Sequence, residues 1–257
     1  MSDDGDILDY LARGGKLSAP GNAPPRYRAE ILRLMASFVD SELAGAAGFA
    51  DSINFGPGVK ERIAASRIVL EKLDHAERVL RLMGGFGANV ARYQNVHPWA
   101  ARIARHDDIG ISRQTGDMRL NVFHYPITGW TDSVVLNVLM GTATVIQLGD
   151  YAVMSYQPLA ETFRAILPRE QRHAELGQEG LDAIGGRGGG AQREISDSVD
   201  YWFPKVAATF GAAASKRSEL LRRFGLRRRP NAEMLDEWRG RVSVALGSCL
   251  RGWHGSA

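Results

Sequence analysis

Cys249 is the one cysteine in 257 residues. Its isolation excludes an intrachain disulfide and any cysteine-rich metal site, and the cytoplasm is the compartment expected for such a chain. An excess of either charge is also missing. Lys and Arg number 32 against 29 Asp and Glu, a formal net charge of +3, which gives no general field for nucleic acid. The basic side chains that do cluster, Arg222, Arg223, Arg227, Arg228 and Arg229, read as a solvated helix end and loop. No window approaches about 18 uninterrupted apolar residues, so no membrane span is expected. The opening MSDDGDILDYLARGG is acidic and has no apolar h-region, so no signal peptide is expected either. Internal repeats and sustained heptads are absent.

What is present is helical periodicity. The chain is 44% hydrophobic, enough to bury the core of one large domain. Residues 1–25 carry Asp, Gly and Pro with little periodicity, end in Ala23-Pro24-Pro25, and read as a mobile or loosely docked arm before a helical domain over 26–257. From Tyr27 to about Ile53 the apolar residues Ile31, Leu34, Met35, Phe38, Val39 and Leu43 keep helical spacing with one buried stripe. Gly56-Pro57-Gly58 breaks that helix. A second runs from about Val59 to Met83, with Ile63, Ala64, Val69, Leu70, Leu73, Ala76, Leu80 and Met83 as its apolar face, and Gly84-Gly85 ends it. Residues 86–125 are mixed and form a long crossover, with a short helical piece near Pro98–Arg105. A third helix begins near Ile127 and is apolar almost all round through Leu148, so it must lie inside a bundle. A fourth spans about Pro158–Ile184, where Pro168 predicts a kink or restart. Three shorter helices, Glu194–Phe210, Lys216–Phe224 and Ala232–Leu246, then cover the bundle.

Several polar residues fall where the apolar stripes put the core. Glu170 and His173 form a Glu-x-x-His pair whose members share a helix face. Glu42 stands mid-way along the first long helix and His75 mid-way along the second. An unpartnered polar group there would be costly, so inward carboxylates and imidazoles on facing helices predict one shared bundle-core site.

A set of longer stretches carries a resemblance: Ser41-Glu42-Leu43, the segment Leu70–Ala76, Phe123-His124-Tyr125-Pro126-Ile127-Thr128-Gly129-Trp130, Ser155-Tyr156-Gln157-Pro158, Glu170–Gly177, and Val199-Asp200-Tyr201-Trp202-Phe203-Pro204 through Phe210-Gly211. With these the chain resembles, over about residues 26–236, the catalytic alpha-subunit family of phenylacetyl-CoA epoxidase, the ring-1,2-oxygenases of phenylacetic acid catabolism. The resemblance implies an all-α, ferritin-like four-helix bundle with additional C-terminal capping helices. It also implies six side chains holding two irons: a Glu on the first helix, Glu-x-x-His on the second, a carboxylate on the third, and Glu-x-x-His on the fourth. By position Glu42, His75, Glu170 and His173 carry over as metal ligands. Two positions depart. Lys72 stands where the second-helix Glu belongs, and the third-helix carboxylate falls on or near Gly141. The segment with His124 and Tyr125 borders the active-site cavity in the family, and Asp132 follows it.

A lysine offers donors only, so an ordinary di-iron cluster is not expected. Lys72 instead predicts an ammonium facing Glu42 and Glu170 in place of metal charge. Glu71, four residues before His75, is a substitute ligand by spacing. Asp132 and Asp150 stand nine residues on either side of Gly141, too far along a helix to replace it. The expected cofactor is thus none or a single divalent metal, iron first. The leading expectation is a non-catalytic scaffold or binding subunit. Its alternatives are an O2-dependent oxidoreductase with an atypical metal site acting on an aromatic or CoA-linked substrate, and a binding protein whose apolar channel lies beside Gly141. The partners expected are a second copy or a helical sister subunit, and an aromatic or CoA-linked small molecule, with no nucleic acid and no membrane.

Overall fold

The computed structural model describes residues 3–93, 98–109 and 116–250 of the chain. Among these, the regular elements are helices: α1 (Asp3–Ala12), α2 (Pro25–Ser52), α3 (Val59–Gly85), α4 (Trp130–Tyr151), α5 (Gln157–Gly185), α6 (Gly189–Ala207), α7 (Lys216–Arg223) and α8 (Asn231–Gly247). Two antiparallel pairs, α2 with α3 and α4 with α5, make the four-helix bundle, while α6 and α8 pack on α4. The expected ferritin-like, all-α architecture with C-terminal covering helices is present. Pieces of the crossover between α3 and α4, residues 94–97 and 110–115, lie outside the described residues.

Each bundle helix is held by one apolar stripe at three- and four-residue spacing. On α2 this is Tyr27, Ile31, Leu34, Met35 and Val39, continuing to Ala46 and Phe49; Pro25 opens the helix at a position where its missing N–H costs nothing. On α5 it is Leu159, Phe163, Ile166, Gly177, Leu181 and Ile184. The helix runs through Pro168 as a single element, so the restart expected there does not occur. Helix α4 is long and apolar enough by composition to cross a membrane, but 78% of that stretch is buried inside the bundle. Its apolar surface is consumed by α5, α6 and α8. It starts at Trp130 rather than near Ile127. Asp132 in its first turn reaches back to accept the Thr128 amide at 3.0 Å, which holds residues 126–129 outside the helix.

The face expected for α3 needs correction. Its buried residues are Ala65, Ile68, Lys72, His75, Ala76, Val79 and Met83, whereas Ile63, Leu70 and Leu73 are exposed. Ala76 and Met83 are buried as expected, but Lys72 and His75 share the core stripe with them, so an apolar pattern alone misplaces part of the buried face. Residues before α2 are packed where they are described. Leu11, Leu17 and Ala23 are buried, and Leu17 exchanges backbone hydrogen bonds with Ser155 and Gln157, both at 2.8 Å. The Lys16 ammonium donates to the Val153 and Met154 carbonyls, each at 2.8 Å.

Candidate functional site

Helical phase delivers the polar residues to one place. Seven residues beyond Met35, two turns along α2, the stripe reaches Glu42; on α3 it passes through Lys72 and His75; on α5, Glu170 and His173 sit between Ile166 and Gly177. All five side chains are buried. The Lys72 Nζ donates to Glu42 Oε1 at 3.0 Å and to Glu170 Oε1 at 3.2 Å and Oε2 at 3.4 Å. His75 Nδ1 lies 3.2 Å from Glu42 Oε2 and 3.0 Å from Glu170 Oε1. A nitrogen set between two carboxylates in this way is the protonated, donating one. His173 Nε2 meets Glu71 Oε2 at 2.6 Å, and its Nδ1 stands 3.4 Å from Glu170 Oε1 without hydrogen-bond geometry.

The electrostatics follow from these contacts. Burial alone would lower the Lys72 pKa, but the charges of Glu170 and Glu42 outweigh it and hold the ammonium above its ordinary value. Burial would likewise lower His75, and its hydrogen bonds to Glu170 and Glu42 raise it instead. For Glu170 burial pushes upward, while the Lys72 charge, the close approach of His173 and the hydrogen bond from His75 hold the carboxyl well below the usual carboxylate range. The cluster is therefore a set of buried charges that satisfy one another, with an ammonium between two carboxylates that would otherwise repel or protonate.

Against two metal ions the residues do not fit. Where the second-helix carboxylate would stand, Lys72 puts a cation among the ligands. Where the third-helix carboxylate would stand, Gly141 meets the opposite helix directly: a Cβ there would lie 3.2 Å from the Cα of Ala174. The space that glycine releases towards α5 is taken by close approach of α5 to α4. Glu71 joins the cluster through His173, whose Nε2 its Oε2 meets at 2.6 Å. A smaller set survives. Donor atoms of Glu42, His75 and Glu170 lie within 4.8 Å of one another, which suits a single divalent ion by chemistry, but the Lys72 ammonium stands among them.

Glu42 is the member of the cluster that also lines a cavity of about 550 Å³, walled by Leu34, Phe38, Phe123, Met140 and Leu148 and bordered by Arg227. Neither His124, Tyr125 nor Asp132 lines it. His124 closes the short turn Asn121–His124, and Tyr125 borders a small cleft with Ala44 and Phe123. Asp132 is enclosed by donors: Arg105 grips both oxygens at 2.7 and 3.0 Å, Ser198 donates at 2.7 Å and Trp202 at 2.8 Å. Asp150 accepts the amides of Arg228 and Arg229, both at 3.1 Å. Sequence patterns did not point to Arg227, Met140 or Phe38 as cavity residues, because they come together only where α2, α4 and the segment before α8 meet.

No curated protein matches the chain by sequence. The sequence model described as phenylacetic acid catabolic protein matches residues 14–249, a span that takes in the whole bundle, all five residues of the ion cluster and most of the covering helices. Coverage on that scale, on an all-α bundle with inward Glu and His residues, means that the chain belongs to the phenylacetic acid catabolic protein family.

Proposed function

We propose that this chain is a non-catalytic member of its family, a scaffold or binding subunit in which the Lys72 ammonium replaces the charge of the di-iron centre. The observation that carries this is the position of Lys72 Nζ, 3.0 Å from Glu42 and 3.2 Å from Glu170. An ammonium there neutralises the carboxylates and lets the bundle core close without metal. The cavity beside Glu42 suits an aromatic or CoA-linked small molecule by its size and by a wall that sets Leu34, Phe38 and Leu148 beside Arg33, Arg217 and Arg227, so binding can outlast chemistry. Members of this family work in multi-subunit complexes, and the partner proposed here is a helical sister subunit or a second copy. The small net charge and the buried apolar helix α4 fit a role in the cytoplasm away from nucleic acid and membrane.

A second reading rests on Glu42, His75 and Glu170, whose donor atoms lie within 4.8 Å. With Lys72 turned away, they would hold one divalent metal, iron first, in an O2-dependent oxidoreductase acting on an aromatic or CoA-linked substrate. Such a metal would supply oxygen activation, and the protein would supply two carboxylates and an imidazole.

Elemental analysis after anaerobic Fe(II) loading separates the two. The expected result is a wild-type chain with only traces of iron and a Lys72→Glu variant that takes up iron. About one iron per wild-type chain, lost in Glu170→Ala, would overturn the metal-free role and favour the second reading.

A further inference from the structure

Arg227 is a buried guanidinium without a counter-ion of its own. It is 9% exposed and lies in the wall of the cavity beside Glu42, and among the described residues no carboxylate forms an ion pair with it. Its Nη2 donates to Gln147 Oε1 at 3.1 Å and to the Tyr151 hydroxyl, so neutral groups fix the side chain in place. Its Nη1 meets the Met234 thioether at 3.5 Å, a weak acceptor. Asp150 feels the Arg227 charge but turns its oxygens to the amides of Arg228 and Arg229 and does not line the cavity. A charge taken out of water and held by neutral groups is costly until an anion joins it. The two other arginines of the wall, Arg33 and Arg217, are about half-exposed and share one carboxylate, Glu30, at 3.5 and 3.0 Å. Positive charge therefore exceeds negative at this end of the cavity.

The rest of the wall is of another kind. Helix α2 runs along the cavity from Arg33 to Glu42, about 13 Å at the helical rise, with Phe38 between them, and Met140 and Leu148 face the cavity from α4. Arg227 meets α4 at Gln147 and Tyr151, two and three turns beyond Met140, so the guanidinium and much of the apolar wall lie at different levels. Glu42, at the far end, has one oxygen on Lys72 and the other on His75 and calls for no further cation. We propose that the cavity takes a free carboxylic acid with an apolar body, its carboxylate on Arg227 and its body along Phe38, Leu148 and Met140. A carboxylate matches the planar guanidinium and supplies the missing charge. In a CoA thioester the acyl carbon is uncharged, and the phosphates stand beyond the whole pantetheine arm, so the same apolar body would leave Arg227 without its anion. This deepens the binding role proposed above by naming the charge of the ligand, and it rests on the cavity being a binding site.

Isothermal titration calorimetry on the full chain tests it, with ω-phenylhexanoate, its primary amide and its CoA thioester as probes. The acid is expected to bind about tenfold tighter than the amide, which keeps the apolar body and removes the charge. Arg227→Gln, with helix content checked by circular dichroism, should abolish that preference and leave the amide affinity as it was. Where that variant unfolds, the ratio of acid to amide on the wild-type chain still decides. Equal affinities for acid and amide overturn the inference, as does a folded Arg227→Gln chain that still prefers the acid. Tighter binding of the thioester than of the acid also overturns it, while the binding-subunit reading stands. A chain that takes none of the three overturns both the inference and the use of this cavity for binding, and leaves the scaffold role to the metal analysis.

Discussion

At Lys72, three hydrogen bonds to two buried carboxylates set up a sharp asymmetry between keeping and breaking the cluster. The attraction is largely offset by the cost of taking these charges out of water, so the intact cluster adds little net stability. Removing one partner leaves buried charge uncompensated, at roughly 3–5 kcal/mol. Lys72→Met is expected to cost that much, and Lys72→Ala about 2 kcal/mol more, since it also leaves a cavity. Urea denaturation followed by circular dichroism reads both. A Met variant that unfolds at the wild-type midpoint would remove the ion cluster from any account of this core. Glu42, Glu170 and His173 were legible in the sequence because each stands in phase with an apolar stripe, where a polar residue has to be explained; His75 was legible from its place mid-way along a long helix, although the stripe read for α3 faces another way. The Glu71–His173 pair was not, because its members are about a hundred positions apart and on different helices.

At the scale of elements, Asp132 ties the start of α4 to α6 and to the crossover through Arg105, Ser198, Trp202 and Thr128. Burial would raise its pKa, but hydrogen bonds from Arg105, Ser198, the Thr128 amide and Trp202 hold it below the ordinary value. A carboxylate lowered in the folded state stabilises fully above its unfolded pKa of about 3.9 and loses that contribution as pH falls through the lower folded value. Asp132→Asn should therefore cost roughly 3 kcal/mol at neutral pH. The gap between wild type and variant should stay constant above about pH 5 and shrink below about pH 4. A gap that widens on acidification would contradict the assignment. Helix α3 shows the limit of reading elements from pattern. Ile63, Leu70 and Leu73 are apolar and helically spaced, yet they face outward, since the opposite stripe with Lys72 and His75 is the one that meets α2 and α5.

For the molecule as a whole, the C-terminal helices complete the core rather than decorate it. Trp238 on α8 is fully buried, donates its indole N–H to the Leu139 carbonyl at 2.9 Å, and packs on Phe203 with ring centroids 4.7 Å apart. It closes the side of α4 that α5 leaves open. Trp238→Ala is expected to lower stability by about 3–5 kcal/mol and to expose α4, a long apolar surface that invites aggregation. Thermal unfolding with a dye for exposed apolar surface checks both, and a variant with unchanged Tm and no added dye binding would show that α8 is dispensable.

The sequence by itself determined the four bundle helices, their order and the inward-facing Glu and His residues of α2 and α5, because helical periodicity is local and each of these follows from spacing along one segment; the family was carried by the longer resembling stretches, and α1 fell within the residues read as an arm. Tertiary structure alone decided the rest. It decided that Lys72 sits between Glu42 and Glu170, that Gly141 serves close packing of α4 on α5, and that Asp132 holds elements together instead of lining the cavity. It also decided which apolar face of α3 is left outside. Each of these depends on distances between residues far apart in the chain, and those distances are set by how the helices pack.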